Sequence, residues 1–120
     1  MTDNVRSVDP AALDRLLDMT GGDPEFLDEL VQTFLEDAVV QLDAMRAAAG
    51  SGAVEDLVRP AHSLKSNSAN MGAERLAELC RSLETDARGG VVDAAADRVA
   101  EAAREFDRVR AELAALQAAR

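Results

Sequence analysis

Apolar residues recur every three or four positions over four long stretches of this chain and one short stretch. The long stretches cover residues 24–49, 53–71, 73–88 and 91–118, and the short one covers residues 10–20. This spacing places the apolar side chains of each stretch on one face of an α-helix, with charged residues elsewhere. The pattern therefore predicts five amphipathic helices, of which the first is short.

Local start and stop signals agree with these helices. Asp followed by Pro occurs at positions 9–10 and 23–24, as is typical of an N-cap and the first helical residue. Glycine-containing breaks separate the stretches at positions 21–22, 50–52, 72 and 89–90. We predict an all-α fold, an antiparallel up-and-down four-helix bundle with a short N-terminal capping helix, in one domain over residues 1–120.

Pro60 conflicts with this pattern, because it falls inside the stretch predicted as one helix over residues 53–71. Proline lacks the amide donor and clashes with the carbonyl four residues earlier, which costs about 3 kcal/mol in a helix interior. Either the helix bends at Pro60 or its first turn is irregular.

Composition limits the classes of function. The chain has 120 residues, 24 of them Ala, and only three Phe as aromatic residues, which favours helices over strands. Its single cysteine excludes an internal disulfide and suits a reducing compartment, so we expect a cytoplasmic protein. A net charge of −10 argues against nucleic-acid binding, since neutralising phosphates requires a basic surface. Neither a secretory signal nor a membrane-spanning apolar run occurs, so we expect no membrane association.

The chain lacks the residues that several kinds of chemical site require. One Cys and one His cannot complete a structural zinc site. The single Lys follows Leu64 rather than a glycine-rich loop, which excludes the phosphate-binding loop of nucleoside triphosphatases. We therefore expect no metal site and no nucleotide-dependent catalysis within this chain.

The single histidine, His62, precedes the single lysine, Lys65, by one helical turn. Helix positions three and four apart are surface neighbours, so one stripe beside the core contains Arg59, His62, Lys65, Ser66 and Ala69. The small Ser66 side chain leaves room for another macromolecule to approach the imidazole. From spacing alone, His62 can also be an ordinary surface histidine.

The residues around His62 read Ala61-His62-Ser63-Leu64-Lys65-Ser66-Asn67-Ser68-Ala69-Asn70-Met71-Gly72-Ala73. This segment resembles the signature of histidine phosphotransfer (HPt) domains, in which His-x-Leu-Lys-Gly is followed by small residues and Leu-Gly-Ala. Residues 76–84 are similar to the next helix of that family, and the helical layout resembles it over most of the chain. Ser66 departs from the Gly that the family has after the Lys, which makes access to the histidine tighter.

The resemblance implies a phosphorelay intermediate. His62 would accept a phosphoryl group from an aspartate of one receiver domain and pass it to another receiver domain. Lys65 would pair with the phosphoryl oxygens, and we expect its ammonium to be free of other tight ion pairs. Such a phosphocarrier is not an enzyme in the usual sense and needs no cofactor, because the receiver supplies Mg²⁺. The implied partners are receiver domains of response regulators, and a hybrid histidine kinase can be a further partner.

By the same resemblance, the helix after His62 turns Glu84 towards the histidine. The Glu84 carboxylate would then accept a hydrogen bond, directly or through a water, from one imidazole nitrogen and fix the tautomer of the ring, with Arg81 or Arg88 at the rim of this face. Alternatively, Glu84 is a solvated side chain that pairs with Arg81 or Arg88.

The short first helix carries more apolar residues than a capping helix easily buries. We therefore expect the receiver to dock on Leu13 and Leu17, together with Leu16, and on Arg59 and Ala69 beside the histidine. One bundle accounts for the apolar stripes, so we expect a monomer. The alternative function is a helical adaptor that docks on a signalling protein and carries no phosphate.

Overall fold

The structure, a computed structural model, describes residues 6–119 and is all-helical over that range. Five α-helices run from Pro10–Met19 (α1), Pro24–Ser51 (α2), Val58–Asn70 (α3), Glu74–Arg88 (α4) and Ala95–Ala118 (α5). A 3-10 turn, Val54–Leu57, precedes α3. Residues 6–119 contain no β-strand, so the all-α prediction is confirmed.

The two Asp-Pro pairs start their helices as predicted. The Asp9 carboxylate accepts a hydrogen bond from the amide of Ala11 at 3.0 Å. The Asp23 carboxylate accepts from the amide of Glu25, also at 3.0 Å. Each side chain satisfies an amide that has no partner within the helix, which fixes where α1 and α2 begin.

The region around Pro60 differs from the single helix predicted over residues 53–71. Its first part is the 3-10 turn, and α3 begins only at Val58. Pro60 therefore lies in the first turn of α3, where the absent amide would have had no helical partner. The irregular first turn, rather than a bend, is the correct alternative.

The last helix also starts later than predicted. It begins at Ala95 instead of residue 91, because the break at the double glycine continues to Ala94. Ala94 has a φ of 52°, in the left-handed region that a regular helix does not use.

The apolar stripes meet in one core. Helix α3 packs chiefly on α4, while α2 packs on both α3 and α5, and α4 packs on α5. The most deeply buried side chains come from all four long helices and include Leu27, Met45, Leu64, Leu76, Leu83, Val99, Val109 and Leu113. No helix within residues 6–119 has the length and apolar character needed to cross a bilayer.

The start of α1 lies against the turn that joins α3 to α4. The amide of Asp9 donates to the carbonyl of Gly72 at 2.9 Å. Gly72 has a φ of +75°, and a Cβ placed on it would lie 2.5 Å from the Cβ of Ala12. This turn therefore needs glycine both for its backbone conformation and for the close approach of α1.

We expect Gly72→Ala to lower the free energy of unfolding by roughly 1–3 kcal/mol, because alanine is strained at this φ and pushes against α1. Gly50→Ala is the matched control, since Gly50 lies within α2 with open space around its Cα. This control should raise stability by roughly 0.5–1 kcal/mol. Urea unfolding of both variants measures the difference, and equal effects of the two substitutions would contradict this account of the turn.

Candidate functional site

His62 occupies the first half of α3 and points partly into solvent. Its side chain is 54% exposed. Ser66, one turn later, and Arg59 and Ala69 on the same helix are also exposed. The predicted accessibility of the imidazole is confirmed, and the side chains along the stripe leave it open to a macromolecular partner.

Glu84 of α4 lies beneath the imidazole. The residue is only 5% exposed, although it is charged. Its Oε2 lies 2.9 Å from Nδ1 of His62, so the predicted hydrogen bond is present and is direct, not through a water. A buried carboxylate needs partners to offset its lost hydration, and the remaining ones come from two cations.

Lys65 shares the face of His62, as predicted, but its ammonium is not free. Its Nζ lies 2.9 Å from Oε1 of Glu84. The expectation that Lys65 has no tight ion pair is therefore wrong. The reason is geometric, because one helical turn brings Lys65 over the same buried carboxylate that contacts His62.

Arg88 provides the second cation, one turn after Glu84 on α4. Its Nε and Nη2 donate to Oε2 of Glu84 at 3.1 Å and 2.8 Å. Arg81 instead pairs with Glu78 on the exposed side of α4. Of the two arginines predicted at the rim, Arg88 is thus the one that joins the cluster of His62, Lys65, Glu84 and Arg88.

The cluster keeps Glu84 ionised. Burial alone would raise the pKa of Glu84, but hydrogen bonds from Lys65, Arg88 and His62 outweigh it and lower the pKa to about 2. An ionised carboxylate only accepts hydrogen bonds, so Nδ1 of His62 must carry the hydrogen. In the neutral ring, Nε2 then holds the lone pair, and this is the nitrogen able to act as a nucleophile.

The lowered pKa predicts a pH dependence of stability. Because the pKa of Glu84 falls from its ordinary 4.5 to about 2 on folding, its ionisation stabilises the folded state fully above pH 4.5. This contribution should disappear as the pH falls to about 2. The difference in unfolding free energy between the native chain and Glu84→Gln, measured by urea titration, should shrink over that window. A difference that is independent of pH would contradict this assignment.

A groove of about 860 Å³ lies on the other side of α3, between α1 and α2. Leu16 and Met19 of α1 and Phe34 of α2 contribute apolar side chains, and Ser63, next to His62, contributes to the α3 wall. Asn67 of α3 donates to Asp37 of α2 at 3.1 Å, and this hydrogen bond connects the α3 wall of the groove to its α2 wall. The groove therefore places an apolar surface along α3 at Ser63, the residue after His62, and His62 itself is not among the residues that line it.

The residues predicted for docking on α1 need correction. Leu13 is 4% exposed and belongs to the core, so it cannot contact a partner. Leu17 is half-buried, and Leu16 is half-buried and lines the groove. Met19, which is 81% exposed, was missed. The helical spacing of Met19 from Leu16, three positions, is the signal that could have identified this face.

A smaller groove of about 540 Å³ lies between α3 and α4. It contains Lys65, Ser66 and Ala69 on one wall and Glu78 and Arg81 on the other. Within residues 6–119, no cluster of three or more His, Cys, Asp or Glu side chains has the arrangement of a metal site.

Comparison with known proteins assigns this arrangement to a family. The family model of the Hpt domain matches residues 29–119, which include the whole cluster. The chain belongs to the Hpt domain family. No curated protein matches it.

A solved Hpt structure agrees over nearly the whole chain. The crystal structure of histidine-containing phosphotransfer protein B from Pseudomonas aeruginosa PAO1 is 30% identical, with a TM-score of 0.87. The match covers 98% of this chain and 99% of that protein. The chain therefore has the Hpt fold and a histidine phosphotransfer role in a phosphorelay. At the family level, Hpt proteins are phosphocarriers that interact with receiver domains and kinases.

Proposed function

We propose that His62 is the residue that accepts and returns the phosphoryl group. The observation that carries this proposal is that a histidine phosphotransfer protein needs a histidine and this chain has one. The exposure of His62 and the hydrogen bond that holds its Nδ1 support the same assignment. The imidazole is thus both reachable and fixed in one tautomer.

Transfer to His62 follows from that tautomer. The Nε2 lone pair attacks the phosphorus of a receiver aspartyl phosphate, an N–P bond forms, and the aspartate carboxylate leaves with the O–P electron pair. The ring keeps its hydrogen on Nδ1 and becomes a cation. Glu84 lies 2.9 Å from that nitrogen and stabilises the new charge. In the return step, a receiver carboxylate attacks the phosphorus and the imidazole leaves neutral.

Lys65 and Arg88 hold positive charge next to this ring. The Lys65 ammonium has three donors, and its contact with Glu84 uses one of them. The other donors of this ammonium remain able to pair with the oxygens of a phosphoryl group that is bonded to Nε2. These oxygens carry the negative charge of the transferred group. Mg²⁺ would be supplied by the receiver, and the chain itself would need no cofactor.

Lys65→Ala should slow phosphotransfer without abolishing it. It should also lower stability by roughly 1–3 kcal/mol, because the buried Glu84 carboxylate loses one partner. That cost is larger than the change within about 0.5 kcal/mol typical of an exposed side chain without special contacts. Arg104→Ala is the control, since Arg104 is an exposed cation on α5 and lies outside the proposed receiver contact. Transfer rates and urea unfolding would be compared, and a normal rate for Lys65→Ala would remove Lys65 from the mechanism.

The receiver would dock over the His62 face and the groove beside it. Leu16, Leu17 and Met19 of α1 would supply apolar contacts, and Arg59 and Ala69 would lie at the edge of the contact. Support comes from the position of the groove, which borders α3 at Ser63, the residue after His62. A receiver that places its aspartate on Nε2 must cover this part of the surface.

The proposal also covers the arrangement of the helices, the oligomeric state and the location of the protein. The chain would be a single domain in which α2 to α5 form an antiparallel up-and-down bundle and α1 caps one end. It would act as a monomeric phosphocarrier, not as an enzyme, in the cytoplasm. The supporting observations are one shared core, the lone buried cysteine and the receiver partners of the family.

The test of this function is incubation of the chain with phosphorylated receiver domains from the same organism. Phosphate that appears on the chain and is labile to acid but stable to base supports the relay. Its absence with every receiver, together with stable binding to one of them, would favour the adaptor that carries no phosphate.

A further inference from the structure

The segment before α1 is held on α5 by one carboxylate. The amide of Ser7 donates to Oε1 and Oε2 of Glu112 at 3.0 Å and 2.9 Å. The amide of Val8 donates to Oε1 at 2.8 Å. Ser7 and Val8 are only 3% and 1% exposed, so these hydrogen bonds connect a buried segment to a helix more than 100 residues away in sequence.

A second contact follows at the next residue, where Asp9 donates its amide to Gly72 at 2.9 Å. Three consecutive amides are therefore fixed by α5 and by the α3–α4 turn, and α1 begins immediately afterwards at Pro10. Helix α1 has 10 residues. Isolated helices of this length are marginal in water, so contacts outside α1 must set where it lies.

The position of α1 matters because this helix forms one wall of the groove that borders α3 at Ser63. Four of its residues, Ala12, Arg15, Leu16 and Met19, line that groove. The opposite walls belong to α2 and α3, which are anchored in the core. The width of the groove therefore depends on where α1 lies, which is set by the contacts at its start together with the burial of Leu13 in the core.

We propose that Glu112 is a positioning residue for receiver docking. By holding Ser7 and Val8, it sets the α1 wall of the groove and acts on the binding of the receiver, not on the chemistry at His62. This inference rests on the proposed function, in which a receiver docks over the His62 face.

The experiment measures transfer from a phosphorylated receiver at increasing concentrations of the Hpt protein. For Glu112→Ala, the half-saturating concentration should rise roughly tenfold, while the maximal transfer rate stays within about twofold. Labelling of His62 by phosphoramidate, a small phosphoryl donor that needs no docking surface, should not change. Hydrogen exchange at the Ser7 and Val8 amides reports directly whether their bonds are lost.

Two further variants separate this role from a general effect on folding. Glu112→Gln retains one acceptor oxygen, and in the native chain Oε1 alone already accepts from the amides of both Ser7 and Val8. This variant should therefore keep most of the affinity for the receiver. Glu101→Ala removes an equal charge from α5 about three turns away and should leave the half-saturating concentration unchanged.

An unchanged half-saturating concentration despite faster exchange at Ser7 and Val8 would overturn the inference. Unchanged exchange in Glu112→Ala would overturn it as well, because the carboxylate would then not hold the segment. A parallel fall in phosphoramidate labelling would show an effect on folding or chemistry instead and would also overturn it. If the native chain accepts phosphate from no receiver, the proposed function fails together with this inference. If the native chain transfers phosphate normally, the results above overturn only the role of Glu112.

Discussion

His62→Gln should abolish phosphotransfer and leave the helices folded. Gln has no nucleophilic ring nitrogen, and His62 is the only histidine of the chain, so no second site can take its place. The stability cost should be about 1 kcal/mol or less, because the side chain is 54% exposed and Glu84 keeps Lys65 and Arg88 as partners. The measurements are labelled phosphate on the protein after incubation with a phosphorylated receiver, and a thermal melt.

The control for this substitution is Gln32→Ala, on an exposed position of α2. It removes a side chain that donates to Glu36 and should retain transfer, because Gln32 lies outside both the cluster and the proposed receiver contact. Acid-labile phosphate on His62→Gln would show that a different residue accepts the phosphoryl group. That result would contradict the assignment of His62 even though the chain belongs to the Hpt family.

Glu84→Ala should slow phosphotransfer roughly ten- to a hundredfold, by analogy with the loss found when the hydrogen-bond partner that orients a metal-ligating histidine is removed. The imidazole would lose the acceptor that fixes Nδ1 as the protonated nitrogen and that stabilises the ring cation after transfer. Stability should also fall by roughly 1–3 kcal/mol, because Lys65 and Arg88 lose their shared partner. Single-turnover transfer kinetics and urea unfolding measure the two effects separately.

Glu84→Gln distinguishes the two roles of this carboxylate. Its amide oxygen can still accept from Nδ1, so the tautomer is kept, but the negative charge is lost. We expect a rate between those of the native chain and Glu84→Ala. Full activity of Glu84→Ala would remove Glu84 from the mechanism and leave His62 and Lys65 alone.

Much of the fold was predictable from local pattern. The starts of α1 and α2 follow from the Asp-Pro pairs, because a cap depends on residues that are adjacent in sequence. The two errors of more than one residue in helix starts, at Val58 and Ala95, occur where proline and glycine weaken the helix and packing decides where it begins. Periodicity alone cannot place such a boundary.

The site was predictable as far as helix geometry reaches. The helical spacing of His62 and Lys65 predicted that they share one face of their helix. The family resemblance predicted that Glu84 lies next to the imidazole. The pairing of Lys65 with Glu84 was not predicted, because it depends on how deeply α4 buries the carboxylate. Neither was the burial of Leu13, since the orientation of a short helix depends on contacts with residues distant in sequence, such as the hydrogen bond from Asp9 to Gly72.

The central claim concerns a single atom, Nε2 of His62, and nitrogen-15 and phosphorus-31 NMR of the phosphorylated chain tests it directly. Because Nδ1 is held by the Glu84 carboxylate at 2.9 Å, the account predicts that the phosphorus is coupled to Nε2 and that Nδ1 carries hydrogen. Phosphorus coupled to Nδ1, or attached to any other residue, would contradict the account.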